Sequence, residues 1–124
     1  MRDGKHVILI VDDDPDVRDA ITLVLDMHGY VAVAAESAQQ GLQKYKETAP
    51  DLIIVDLIME EIDSGAQLAR ELQALGNQAP VYLLSSVGDG LSMTVNHTDL
   101  GLAGVLQKPL LPTALLSLVR AKLT

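Results

Sequence analysis

Five short apolar runs punctuate the chain at similar spacing: Val7 to Val11, Val31 to Ala35, Leu52 to Val55, Val81 to Leu84, and Val105 to Leu106. Each has the length of a β-strand and is built from Val, Ile, Leu and Ala, with one Tyr. The first, third and fourth show no polar alternation, so neither face of these strands can point at water. That is the pattern of parallel strands covered by helices on both sides, because parallel pairing requires long crossovers and the crossovers lie on the faces.

The intervening segments read as those helices. Asp14 is an expected N-cap with Pro15 at the first helical position, followed by Val17, Ile21, Val24 and Leu25 on one stripe, and Gly29 is the expected stop. Ser37 with Gln40 forms a capping-box pattern ahead of Ala38, Leu42, Tyr45 and Ala49, and Pro50 closes that helix. A third runs from about Ser64 through Leu68, Leu72 and Leu75 to Gly76 and Asn77. A fourth, Leu91 to Leu100, is weak, because Thr94, Val95, Asn96 and Thr98 are mediocre helix formers. The last starts near Pro112, with Leu115, Val119 and Leu123 expected on the core face. Alternating β and α elements predict an α/β, doubly wound three-layer sandwich, whose ligands bind beyond the carboxyl ends of the strands.

Bulk properties narrow the function. A chain of 124 residues suits a single domain over 1–124. No apolar run is long enough for a membrane span or for the core of an export signal, so a cytoplasmic location is expected. Cysteine is absent, which leaves no disulfide and no thiolate metal site. A formal charge of -8 with nine scattered Lys and Arg residues argues against direct nucleic-acid binding.

At the expected strand ends stand Asp12 and Asp13, then Asp56, Ser85 and Lys108. Carboxylates crowded together repel by about 1 to 4 kcal/mol per pair at roughly 4 Å, so a cation or a proton is required. An all-oxygen donor set suits Mg2+, with Asp13 and Asp56 as direct ligands and Asp12 acting through water. A phosphoryl group in transfer spreads charge over three oxygens, which Mg2+, Lys108 and Ser85 would meet. His6, His28 and His97 have no ligand spacing. Tyr30, Tyr45 and Tyr82 follow element periodicity and read as packing residues.

The segments ILIVDDDPDVR, PDLIIVDLIM, VYLLSS and GVLQKPL resemble the four signature regions of two-component response-regulator receiver domains, over essentially the whole chain. The resemblance implies a flavodoxin-like (βα)5 sheet of order 2-1-3-4-5, the order common to this family. It implies that Asp56 is the phosphoacceptor, that Asp12 and Asp13 form the acidic pair, and that Ser85 is the switch hydroxyl. Lys108 would contact the phosphoryl group, the Ile58 carbonyl would complete the Mg2+ ligands, and the Lys108-Pro109 peptide would be cis. The donor would be a phosphohistidine on a partner histidine kinase or phosphotransfer protein, and the chain a phosphorylation switch rather than an enzyme, with slow self-dephosphorylation at most.

The sequence also departs from that family. Met59 to Asp63 replaces the usual Pro-Gly turn, and Val105 stands where an aromatic commonly reads the switch. Leu111, Ala114 and Leu118 form a second apolar stripe on the last helix, which, with the fourth helix and fifth strand, is a candidate homodimer or output surface. Ile58 and Val87 are expected to shield the phosphoryl group from water. Two rival readings carry forward: a receiver fold acting as an unphosphorylated docking module, and a haloacid-dehalogenase-like phosphatase using Asp12 and Asp14.

Overall fold

The computed structural model describes residues 2–56, 64–85 and 102–123. Five strands, β1 (Val7–Val11), β2 (Val31–Ala35), β3 (Leu52–Asp56), β4 (Val81–Ser85) and β5 (Gly104–Gln107), form one sheet of order β2-β1-β3-β4-β5. Every neighbouring pair is parallel. Four helices are present among the described residues: α1 (Pro15–Met27), α2 (Ala38–Thr48), α3 (Ser64–Ala74) and α4 (Pro112–Leu123). The helix expected over Leu91 to Leu100 lies outside the described residues.

Non-alternating sequence becomes two-sided burial. Every residue of β1, β3 and β4 is buried, and successive side chains divide between two cores. Leu9, Val11, Ile53, Val55 and Leu83 face α2 and α3, and Ile8, Ile10, Leu52, Ile54 and Leu84 face α1 and α4. Each fully buried Leu or Ile contributes about 1.5–3 kcal/mol relative to exposure. The edge strands β2 and β5 are only part-buried, as one open side requires.

For the helices among the described residues the expected boundaries are borne out to within about two residues, and the reasons are local. Asp14 caps α1, its side chain accepting from the Asp16 amide at 2.9 Å, and Pro15 follows where no amide is needed. His28 ends that helix, its Nδ1 donating to the Val24 carbonyl at 2.8 Å, and Gly29 turns the chain at φ 86°. Ser37 caps α2 by accepting from the Gln40 amide, but the Gln40 side chain reaches the Glu36 amide, one residue before the usual capping-box partner. Tyr82 is buried, and Tyr30 and Tyr45 pack against the cores.

The last helix corrects one expectation. Leu115 and Val119 are core residues and Leu123 packs against them, but Leu116 is also buried and Leu118 packs against the α1 and α4 core. The second stripe is therefore not a free surface throughout: Leu111 and Ala114 are exposed, whereas Leu118 is half-buried. Closely spaced leucines at 115, 116 and 118 leave more apolar positions than one face holds, so part of the surplus tucks under the helix.

Gly41 brings α2 onto the carboxyl end of β1. A Cβ there would lie 2.8 Å from Cγ2 and 3.1 Å from Cγ1 of Val11, itself buried and adjacent to Asp12. Gly41→Ala is expected to destabilise the fold by about 1–3 kcal/mol through overpacking, read as a lower urea midpoint with unchanged slope.

At the opposite end, Asp51 ties β3 to β1, its Oδ2 accepting from the Val7 amide at 2.7 Å and lying 3.7 Å from Nδ1 of His6. Burial pushes this carboxyl up, but the Val7 bond and nearby positive charge outweigh it and hold its pKa below the ordinary value. A depressed folded pKa contributes stability that is complete above the unfolded value, about 3.9, and is lost as pH falls through the lower folded one. Asp51→Asn is expected to cost about 1.5 kcal/mol at neutral pH and to unfold with a shallower acid limb below pH 4.

Candidate functional site

The register places the site. Val11 pairs with Val55, Asp56 with Leu84, and Ser85 with Gln107, so Asp12, Asp56, Ser85 and Lys108 emerge at neighbouring strand ends. Asp12 and Ser85 are 0% exposed and Asp56 5%, whereas Asp13 is open to solvent. Carboxylate oxygens of Asp12, Asp13 and Asp56 lie within 4.8 Å of one another. Two of the acids are thus almost dry, where repulsion is least screened.

Lys108 supplies the counter-charge. Its Nζ is 3.2 Å from Oδ2 of Asp12 and 3.1 Å from Oδ2 of Asp56. Its amide donates to the Ser85 carbonyl at 2.8 Å, so the lysine is anchored on β4 before its side chain turns across the site. The Lys108-Pro109 peptide is cis. Burial disfavours the ammonium, but the charges of Asp12 and Asp56 more than offset this and raise its pKa above the ordinary 10.5. It stays charged throughout the neutral range.

The β1–α1 loop is held by several hydrogen bonds next to the acids. The Asp12 amide donates to the Ala35 carbonyl at 3.0 Å, and Oδ1 of Asp12 accepts from the Asp14 amide at 2.9 Å. The Asp12 carbonyl accepts from Nη1 of Arg18 at 2.7 Å. Asp14 caps α1 through one carboxylate oxygen, Oδ1.

Three carboxylates and one ammonium leave a formal charge of -2 at the cluster. The donor atoms are all oxygen, and the buried Oδ2 of Asp12 has the Lys108 ammonium beside it at 3.2 Å but no well-aligned hydrogen bond. Both facts fit a hard divalent cation such as Mg2+. Ile58, Val87 and the Met59 to Asp63 loop lie outside the described residues. Val105 is half-buried and packs with the α2 and α3 core. A groove of about 430 Å3 opens beside Lys108, floored by Ile21 and Leu84 and walled by Val17, Pro109 and Leu110.

Sequence reasoning found every strand-end residue that converges here but missed Arg18. Its signal was faint: it is the one Lys or Arg between Lys5 and Lys44, set in a run of acids.

Among known proteins, the response regulator receiver domain family matches residues 8–120. The chemotaxis protein CheY of Bacillus subtilis is 36% identical over 105 residues, covering 84% of this chain and 86% of that protein. The response regulator MprA of Mycolicibacterium vanbaalenii is 32% identical over 116 residues, 94% of this chain and 49% of the relative. The chain therefore spans about half the length of such curated relatives. In fold it is similar to the chemotaxis protein CheY4 of Vibrio cholerae, with a TM-score of 0.86, 23% identity, and coverage of 97% of this chain and 100% of that one.

Proposed function

This chain belongs to the response regulator receiver domain family, and from that premise we propose that residues 1–124 form one receiver that accepts a phosphoryl group on Asp56 in a Mg2+-dependent reaction. The donor is a phosphohistidine on a partner histidine kinase or phosphotransfer protein, and the setting is the cytoplasm. The observation that carries this reading is the meeting of Asp12 and Asp56 on one ammonium, at 3.2 and 3.1 Å from Nζ of Lys108. No helix among the described residues is long and apolar enough to cross a membrane.

Asp56 attacks phosphorus through a carboxylate oxygen; an O–P bond forms as the P–N bond to the donor imidazole breaks, and the imidazole leaves with the electron pair. Lys108 is already placed against the attacking carboxylate and meets one phosphoryl oxygen, and Ser85 offers its hydroxyl to another. Asp12, Asp13, Asp56 and the Ile58 carbonyl would hold the Mg2+, which when bound neutralises charge shared by the acids and the phosphoryl oxygens. The groove beside Lys108 gives the donor an apolar seat next to the reacting atoms.

With Val105 in place of an aromatic, the readout runs through another route than ring rotation. The surface around Leu111 and Ala114 is where a second copy or an output partner would dock.

The test is incubation with a small acyl phosphate or phosphoramidate and Mg2+, followed by intact mass and site mapping. One stable adduct on Asp56 is expected. Sustained release of phosphate would instead mark a phosphatase, and the absence of any adduct a docking module.

A further inference from the structure

We propose that Arg18 is a positioning residue for the cation site: it fixes the Asp12–Asp13 peptide and so makes the site selective for Mg2+ over larger divalent ions. This role rests on the proposed function of the acidic cluster.

Arg18 stands near the N-terminal end of α1. It closes the first turn of α1, its amide donating to the Asp14 carbonyl at 3.1 Å. Helix dipoles favour acids at that end and disfavour cations, so a positive side chain there runs against local preference. Its guanidinium instead turns back and donates to the Asp12 carbonyl at 2.7 Å, in a part-buried position. That carbonyl belongs to the peptide whose N–H is Asp13's own.

The consequence is geometric. Asp12 is fixed by Ala35, Asp14 and Lys108 as well as by Arg18. Asp13 is the exposed member of the acidic set, and among the described residues no side-chain partner aims it, so the orientation of the preceding peptide bears on where its carboxylate points. Arg18 holds that peptide plane. Mg2+ demands near-ideal octahedral geometry at about 2.0–2.1 Å, whereas Ca2+ accepts 6–8 oxygens at about 2.3–2.6 Å in irregular arrangements. A loosened Asp13 therefore penalises Mg2+ more than Ca2+.

Charge alone predicts the reverse of the geometric effect. A guanidinium near a dication repels it, so an Arg18 acting only through its charge would weaken uptake of both ions, and its removal would tighten both. The two accounts differ in sign.

The experiment titrates the 124-residue chain and its Arg18→Met and Arg18→Lys variants with Mg2+ and with Ca2+ by calorimetry, with no phosphodonor present. The expected result is that Arg18→Met lowers Mg2+ affinity by about tenfold or more, the usual effect of removing a group that orients a ligand, with a smaller loss for Ca2+. Arg18→Lys, which keeps charge without the rigid planar fork, is expected to fall between, and its reading stands if the Met variant does not fold. An unchanged ratio of Mg2+ to Ca2+ affinity in the folded variants, or tighter Mg2+ binding in Arg18→Met, overturns the role. Uptake of neither ion by the unaltered chain removes the cation site itself, and this role with it.

Discussion

Asp56→Asn is expected to lose all phosphoryl transfer and, in cation-free buffer, to unfold later than the unaltered chain. The first effect follows because an amide is no nucleophile toward phosphorus. The second follows from electrostatics: Asp12 and Asp56 are both buried and share a single ammonium. Removing this carboxylate relieves its repulsion with both Asp12 and Asp13, about 1 to 4 kcal/mol per pair at roughly 4 Å, which together outweigh the loss of its ion pair with Lys108, and leaves Asp12 and Lys108 paired. Urea unfolding with and without Mg2+ reads both parts, since the variant should also lose most of the stabilisation that Mg2+ confers. A variant that unfolds earlier in the absence of cations would show that the cluster is not under electrostatic strain.

Lys108→Met is expected to move stability the other way. Without the ammonium, two buried carboxylates face each other uncompensated, and breaking such a set by removing one partner costs about 3–5 kcal/mol. Mg2+ should restore part of that loss. Acidification should restore part as well, because protonating either carboxylate removes the repulsion. In the unaltered chain the raised pKa of Lys108 means that its contribution is complete below the unfolded value, about 10.4, and is lost only as pH rises through the higher folded value. Phosphorylation by a small donor should fall by about 10²–10³ in rate, the usual effect of deleting a preorganised charge-stabilising group. Equal rates in the two proteins would remove Lys108 from the chemistry.

The opposite signs of these two substitutions come from one geometry, and much of it was legible in the chain. The apolar runs around Ile8 to Val11 and Ile53 to Val55 announced strands buried on both faces, because a strand with one face in water alternates apolar with polar residues and these do not. Caps were equally readable, since Asp14, Pro15, Ser37 and Gly29 each solve a local backbone problem. The strand order was not derivable from the residues alone. Neither periodicity nor composition says that β1 sits between β2 and β3, and the resemblance to receivers supplied that step.

What the sequence hid were contacts with no period. Arg18 reaches six residues back to a backbone carbonyl, and a long flexible side chain can do so from many positions. The split of α4 into core and surface was also obscure, because Leu115, Leu116, Leu118 and Val119 cover too wide an arc for a stripe to be drawn by spacing. Gly41 reads as a weak helix residue until the proximity of Val11 explains why nothing larger fits.

Calorimetric titration of the unaltered chain with Mg2+, without phosphodonor, bears on the core of this account, that buried acids gathered around one lysine leave a deficit of positive charge which a dication makes good. One ion bound per chain, with binding lost in Asp56→Asn, is the predicted outcome. No heat of binding at millimolar Mg2+, alongside a folded and unaggregated protein, would contradict it.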